Sequence, residues 1–529
     1  MGFWEKSRRI FKCLCEYGSQ SVRRLAYQTG VSKSSVHRLT QAMGRRNRYP
    51  ESWLWETEDG RQWLMRLVVA TLYTFGLKRG VGLDTMSEFF ARVHLETQLG
   101  CSPSALRGVM QALETALLET AATWEQDGQV CGEVREIIGA VDETFLERML
   151  LVFMDLATGY LVLEEVADDR TYATWKALVE ERLKGLGTGV LYMVSDRAKA
   201  LIQLAEKGLE CLSMPDFFHV VHDIVKSYSL PMGQRLRQAR QELTKAQEAL
   251  ARRQAQLPVV PDDPEAMAVV AARQTEVVRW EEAHTSYRSL LETLSLTLHP
   301  FRIADSTPQT SAQVASHLQA TVAAIEALAQ AHQLPVRHAA MTKVRKQLPD
   351  LAAVVDFWWA GVRRDVAHAV LSPLWQQWAE ACLLPRVYWE YQVAHTRCPR
   401  RKVKLRQALE AIQGAFDQHA LTLCLPPHAL QAWHAWATHR VSAFQRASSA
   451  VEGRNGCLAQ LHHNQRGLPK RRYKVWTVLH NFDGHAADGT TPASRFFRRP
   501  FPDLFETVLA HIEALPQPRR RKRQVGLCH

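Results

Sequence analysis

The sequence predicts an α/β core on one mixed sheet, split by a large all-α insertion and preceded by an all-α helix-turn-helix region. Three observations carry this. Between 134 and 214, apolar runs of strand length replace helical periodicity; from 220 to 445 the pattern is helical throughout; and residues 21–43 read as two short helices around a glycine turn. At 529 residues the chain is too long for a single core. Its 46% hydrophobic and 23% charged content excludes the disordered and fibrous classes. No run approaches the roughly 18 apolar residues of a membrane span. The N-terminal stretch lacks an apolar signal segment, so a cytoplasmic location is expected. The ten cysteines form no CxxC pair and no Cys/His ladder, which argues against a zinc ribbon or a disulfide framework.

Charge is segregated. Residues 1–50 carry +9 and residues 464–529 carry +8, which leaves −5 for everything between, out of a net +12. A polyanion held by both ends of the chain is the natural partner, because neutralising phosphates drives sequence-independent affinity.

In chain order, residues 1–50 form the first domain. Val22, Leu25 and Ala26 give one amphipathic helix that ends at Gly30, and Ser32 caps a second whose Val36 and Leu39 face inward. Lys33, Ser34, Ser35, His37 and Arg38 are left on or near the exposed side, suited to a major groove, with Arg45, Arg46 and Arg48 following as phosphate contacts. Residues 51–130 form a second helical domain. Its stretch 87–119 repeats the turn grammar at Gly100, Ser102, Pro103 and Ser104, and reads either as a second DNA-reading unit or as a structural bundle.

The core begins at 131–225. The runs VREIIGAV, RMLLVFMDL and GYLVLEEV make a three-strand meander with a hairpin loop at Thr158-Gly159, followed by a helix around 171–184, the strand VLYMVS, a helix from 197 to 207 and a short strand at 211–214. Meander, helix, strand, helix, strand is the order of the RNase H-like fold, in which the first and fourth strands are neighbours. Asp142 and Asp196, each following an apolar strand, are therefore expected to meet. Residues 226–445 form the all-helical insertion. Leu236, Leu243, Leu250 and Leu257 recur every seven residues and predict a coiled-coil hairpin over 232–297, turning at Pro258, Pro261 and Pro264. Seven of the fifteen tryptophans lie in 311–445. They read as core, with Trp358 and Trp359 as the sharper candidates for stacking on an unpaired base. Arg401 and Lys402 lie in a basic strip suited to phosphates. The core resumes over 446–485 with a helix carrying Glu452 and Asn455, and Arg454, Lys470, Arg471 and Arg472 are read as further DNA contacts. Residues 486–529 form a basic tail ending in RRRKR at 519–523.

Phosphodiester cleavage and strand transfer need both the attacking and the leaving oxygen stabilised, which two divalent ions about 3.5–4 Å apart accomplish. Mg²⁺ takes hard oxygen ligands, so carboxylates from separate elements must converge. Asp142, Asp196 and Glu452 are the three that the pattern offers. In the context VDETF, VSDRAKALI and SSAVEGRNGCLAQL they resemble the acidic triad of bacterial DDE transposases, several insertion-sequence groups of which carry a similar S-x-x-x-E-G-x-N signature. Asp216-Phe217-Phe218-His219 resembles the Asp-x-x-His that follows the fifth strand in such enzymes when a helical insertion interrupts the core. The resemblance implies a metal-dependent nuclease and strand transferase acting in cut-and-paste transposition. By it, Asp142, Asp196 and Glu452 hold two Mg²⁺ ions (Mn²⁺ substituting), His219 and Asn455 support them, and a homodimer acts on transposon-end and target DNA in a bacterial cytoplasm. Its alternative is a transposase-derived DNA-binding regulator or architectural protein without catalysis.

Overall fold

The computed structural model describes residues 2–129, 134–256, 263–335, 337–369, 371–464 and 470–518. The N-terminal helices are α1 (Phe3–Tyr17), α2 (Val22–Thr29), α3 (Lys33–Arg46), α4 (Glu58–Thr71), α5 (Leu83–Arg92) and α6 (Pro103–Asp127). Five strands follow with two interleaved helices: β1 (Arg135–Phe145), β2 (Met149–Asp155), β3 (Leu161–Ala167), α7 (Tyr172–Leu186), β4 (Thr188–Ser195), α8 (Lys199–Gln203) and β5 (Leu212–Pro215). The helical insertion runs through α9 (Phe217–Gln256), α10 (Pro264–Thr297), α11 (Ser311–Ala331), α12 (His338–His368), α13 (Pro373–Trp378), α14 (Leu384–His395), α15 (Pro399–Gln418), α16 (Ala420–Cys424) and α17 (Pro427–Ser442). The chain returns to the sheet with α18 (Ser449–Asn464), α19 (Lys470–Asp483), α20 (Pro492–Phe497) and α21 (Leu504–Ala510).

The strand order is β3-β2-β1-β4-β5. The first three strands pair antiparallel as a meander, and β4 and β5 are parallel to β1. Alternation along β1 divides the molecule. Ile138 and Ala140 join the core shared with the insertion, while Ile137 and Val141 join the core shared with the N-terminal helices, α7 and the C-terminal helices. A sheet covered on both faces suits the apolar, non-alternating strands that the sequence shows.

The first three helices fold around Ile10, Leu25, Val31, Val36, Leu39 and Met43. Ser21 and Ser32 cap α2 and α3 by accepting the Arg24 and Ser35 N–H groups, and Gly30 takes the left-handed turn at φ 67°. The stretch 87–119, which repeats the turn grammar, contributes to the core. α6 buries Leu106, Val109, Met110, Leu113, Leu117 and Trp124 along its length, and its Glu114 pairs with Arg472 of α19.

The coiled-coil seam is present. Leu236, Ala239, Leu243, Ala246 and Leu250 are buried or half-buried along α9, facing Val277, Trp280, Ala283 and Tyr287 of α10. Leu257, Pro258 and Pro261, where the turn is expected, lie outside the described residues, as does the 519–523 basic run. The hairpin also begins earlier than its heptads indicate, because α9 runs unbroken from Phe217 at the end of the sheet.

α18 and α19 close the β3 side of the sheet. Arg454 donates two hydrogen bonds to Glu164 of β3, at 2.7 and 2.8 Å, with both residues buried. Asn481 of α19 meets the backbone of Leu161 on both sides: its Oδ1 accepts the N–H at 2.8 Å and its Nδ2 donates to the carbonyl at 3.0 Å. The free margin of β3 is thus occupied by a side chain that mimics another strand.

One residue earlier, His480 donates through Nε2 to the Gly159 carbonyl at 2.9 Å. Burial, reinforced by the Arg454 charge, lowers its pKa to about 4. The folded state therefore favours neutral imidazole, and this contribution is present above the unfolded value near 6.5 and lost as pH falls towards 4. A drop of about 3 kcal/mol across that window is expected from this group alone. Comparing the pH dependence of Tm for His480→Gln with that of the parent checks it: the variant's curve should be flatter between pH 6.5 and 4.

Candidate functional site

The carboxyl ends of parallel strands at a change of strand direction form a crevice, where open α/β sheets place their chemistry. β1 and β4 make that crevice. Their pairing ends at Ala140↔Val194, while β1 continues along β2 to Phe145 with Asp142 opposite Val152. Asp142 and Asp196 each lie two residues beyond the last parallel pair. Asp142 is thus inside a strand on one side and free on the other, a placement that a strand ending at Val141 does not anticipate.

Asp142 is half-buried, accepting the Asn455 amide at 2.8 Å and the Glu143 N–H at 2.9 Å. Burial first, and the negative charge of Glu452 second, push its carboxyl up to about 7. Glu452 is therefore close enough to repel it. α18 aims both residues: Glu452 and Asn455 are three apart and share one face. Asn455 is buried, and among the described residues its Oδ1 has no hydrogen-bond partner.

His219 faces the pair, its Nε2 3.9 Å from Glu452 Oε1. Its Nδ1 is 2.9 Å from Asp216 Oδ2, and that bond raises its pKa, helped by the charges of Asp216, Glu452 and Asp142. Asp216 is the joint of the site. It is 1% exposed, and its carboxylate also accepts the Phe218 N–H at 2.7 Å and the Ser448 hydroxyl. Ser448 in turn accepts the Val451 N–H of α18 through its carbonyl at 2.8 Å. One buried carboxylate thus ties the end of β5, the start of α9 and the start of α18. The sequence marks Asp216 only as the first letter of Asp-x-x-His, and its role as a joint needs the fold.

Asp196 stands apart from this group. It is exposed, directly after β4, and its Oδ1 accepts the Ala198 N–H at 2.8 Å. The structure brings Asp142, Glu452, His219 and Asn455 together, with Asp196 at the neighbouring strand end. Among the described residues no three His, Cys, Asp or Glu side chains are gathered into a group that could hold a metal ion.

The DNA-contact residues divide. Lys33, Ser34, His37, Arg38, Arg45 and Arg48 are exposed along and just after α3, and Ser35 is half-buried. Arg46 is a correction: it is buried against Glu56 and donates to Ser7 Oγ at 2.7 Å, anchoring the three-helix head to the next domain. Arg454 and Arg472 are corrected likewise, being buried on Glu164 and Glu114. Arg471 is exposed and bonds Thr115, Arg401 and Lys402 are half-exposed on α15, and the Lys470 side chain lies outside what is described. Trp358 and Trp359 are 4% and 3% exposed, with their indole N–H groups given to the Arg440 and Pro300 carbonyls. Core packing removes both from any stacking role on a base. Half-buried Arg197, bonded to Asp350 of α12, is a neighbour of the site without a sequence signal.

No helix among the described residues is long and apolar enough to cross a membrane. Residues 5–47 match the IclR helix-turn-helix domain, and residues 379–524, which include α18 and Glu452, match a family of unknown function, DUF6399. No curated protein matches the chain. The chain thus carries an IclR-type DNA-binding domain at its N-terminus and a DUF6399 domain towards its C-terminus.

Proposed function

We propose that the protein is a DDE-type transposase, which binds transposon-end DNA through its N-terminal head and performs metal-dependent phosphodiester hydrolysis and strand transfer at the β1–β4 crevice. The observation that carries the reading is the junction of Asp142 with Glu452. A carboxylate on the first strand and one from a helix 310 residues later meet at the carboxyl end of a sheet ordered 3-2-1-4-5. Support comes from that order, which is that of the RNase H-like fold, and from the helix-turn-helix domain on the same chain.

The carboxylates are hard oxygen donors of the kind divalent cations take, with Asp196 a strand end away from the Asp142–Glu452 pair. Asp142 and Glu452 crowd like charges in a half-buried site, and the buried Asn455 Oδ1 lacks a partner among the described residues. Asp142, Asp196 and Glu452 would hold the ions, which when bound would supply stabilisation of the attacking and leaving oxygens. The chain's own contribution is placement. Asn455 orients Asp142, and Asp216 holds the His219 ring towards Glu452. Two phosphate-binding ends would bring DNA across this face, acting as a homodimer on end and target DNA.

The direct test is nicking and joining of end-sequence DNA by the full chain in Mg²⁺ or Mn²⁺. Binding without cutting would leave the second reading, a non-catalytic DNA-binding regulator, which the helix-turn-helix domain favours equally. The head has its own test. Arg45 is exposed in the last turn of α3, positioned for a phosphate. Arg45→Ala should flatten the log–log salt dependence of DNA binding by about 0.9 while leaving sequence preference intact. An unchanged slope would remove Arg45 from the interface.

A further inference from the structure

Arg197 follows Asp196 directly and has φ 63°, a left-handed backbone that a non-glycine residue seldom adopts. Such strain persists only where the surroundings impose it. Within the loop, the Arg197 N–H donates to the buried Ser195 Oγ at 3.1 Å, and the Ala198 N–H donates to Asp196. From outside, the Arg197 guanidinium is bonded to Asp350 of α12. The sheet holds the chain only as far as Ser195, which pairs with Pro215 of β5 and accepts the Asp216 N–H at 2.8 Å, and β4 ends there, one residue before Asp196. Asp142 is braced by its strand and by Asn455, and Glu452 by its helix. Asp196 has neither brace.

Asp350 is a firm post. It follows Pro349 inside α12, and its neighbours Leu348, Leu351 and Ala352 are fully buried in the core that the insertion shares with the sheet. Its own side chain is half-exposed at 48%, so it can be changed without opening that core.

We infer that the Arg197–Asp350 ion pair is a latch by which the helical insertion sets the position of Asp196, making both its members positioning residues for the candidate site. The functional consequence rests on the metal-dependent reading proposed above; the latch itself rests on the geometry. By this arrangement the insertion is more than a spacer between the second and third carboxylates. A displacement of α12, such as DNA pressing on the insertion, moves the loop that presents one of them.

The test uses the full chain with Asp350→Asn, Asp350→Arg and the charge-swapped double variant Arg197→Asp/Asp350→Arg. The first readout is amide hydrogen exchange, which needs no activity. Exchange over 196–199 should accelerate in both single variants by a factor on the order of 3–5, stay unchanged over 136–141 in β1, and return towards the parent rate in the swap. The second readout is nicking of supercoiled plasmid against Mg²⁺ concentration. The half-maximal concentration should rise in Asp350→Arg and recover in the swap, with DNA binding constant. Unchanged exchange in both single variants overturns the latch, whatever the nicking shows. Responsive exchange with an active parent whose Mg²⁺ requirement does not move overturns the positioning role. Responsive exchange in a parent that never nicks upholds the latch and sinks the transposase reading instead.

Discussion

Asp142→Asn, Asp196→Asn and Glu452→Gln should each lower DNA cleavage by at least about 10³-fold while leaving end binding within a few-fold of the parent. The amides keep the shape of the carboxylates and remove the charge that a divalent ion requires. For Asp142 a second outcome separates catalytic from structural roles. Its carboxyl is raised to about 7 by burial and by Glu452, so the folded state prefers the protonated form. The stability this gives is complete below the unfolded value near 4 and is lost as pH rises through about 7. At pH 8 the parent therefore carries an unfavourable buried charge that the neutral amide of the variant would lack. Allowing for partial solvent screening, Asp142→Asn should be more stable by on the order of 1–2 kcal/mol at pH 8 without added metal, and no more stable at pH 4. Thermal melts at the two pH values, set beside the cleavage assay, decide it. A variant that is both inactive and less stable at pH 8 would mark Asp142 as a structural group.

The largest stability effect is expected at Glu164 and Arg454. Each is buried, with side-chain exposure of 0% and 5%, and Thr477 adds a third hydrogen bond to Glu164 at 3.0 Å. Removing one partner strands the other's charge in an apolar setting, which costs about 3–5 kcal/mol. Arg454→Met should therefore lower the melting transition of the sheet-containing part by on the order of 10 °C. Glu164→Leu combined with Arg454→Met removes both charges and should recover much of that loss, because a buried ion pair repays little beyond its own desolvation. If the single variant melts like the parent, the pair does not anchor α18. The same substitution should blunt any activity, since α18 also carries Glu452 and Asn455.

What the sequence disclosed depended on periodicity. The meander and the two later strands were legible as short apolar runs bounded by turns, and the heptads in α9 as a leucine every seven residues. The two aspartates were legible as residues directly following such runs. Burial of charged and aromatic residues was not. Arg46, Arg454 and Arg472 sit in basic stretches, and nothing local distinguishes an arginine facing a distant glutamate from one facing solvent. Their partners, Glu56, Glu164 and Glu114, lie 10, 290 and 358 residues away. Trp358 and Trp359 carry the same ambiguity, since helical spacing assigns a face but not what covers it. Glu164 did leave a trace, an acid within the apolar run GYLVLEEV, although the trace alone names no partner.

The capped margin of β3 has a consequence for how the protein is made. Leu161 emerges from the ribosome 320 residues before Asn481. At ordinary rates of about 5–20 residues per second, the outward N–H and C=O of Leu161 wait roughly 15–60 s bonded only to water. Throughout that interval the half-built sheet can recruit a strand from any neighbouring nascent chain. Synthesis in the cell would then depend on something shielding that margin until the far end of the polypeptide arrives.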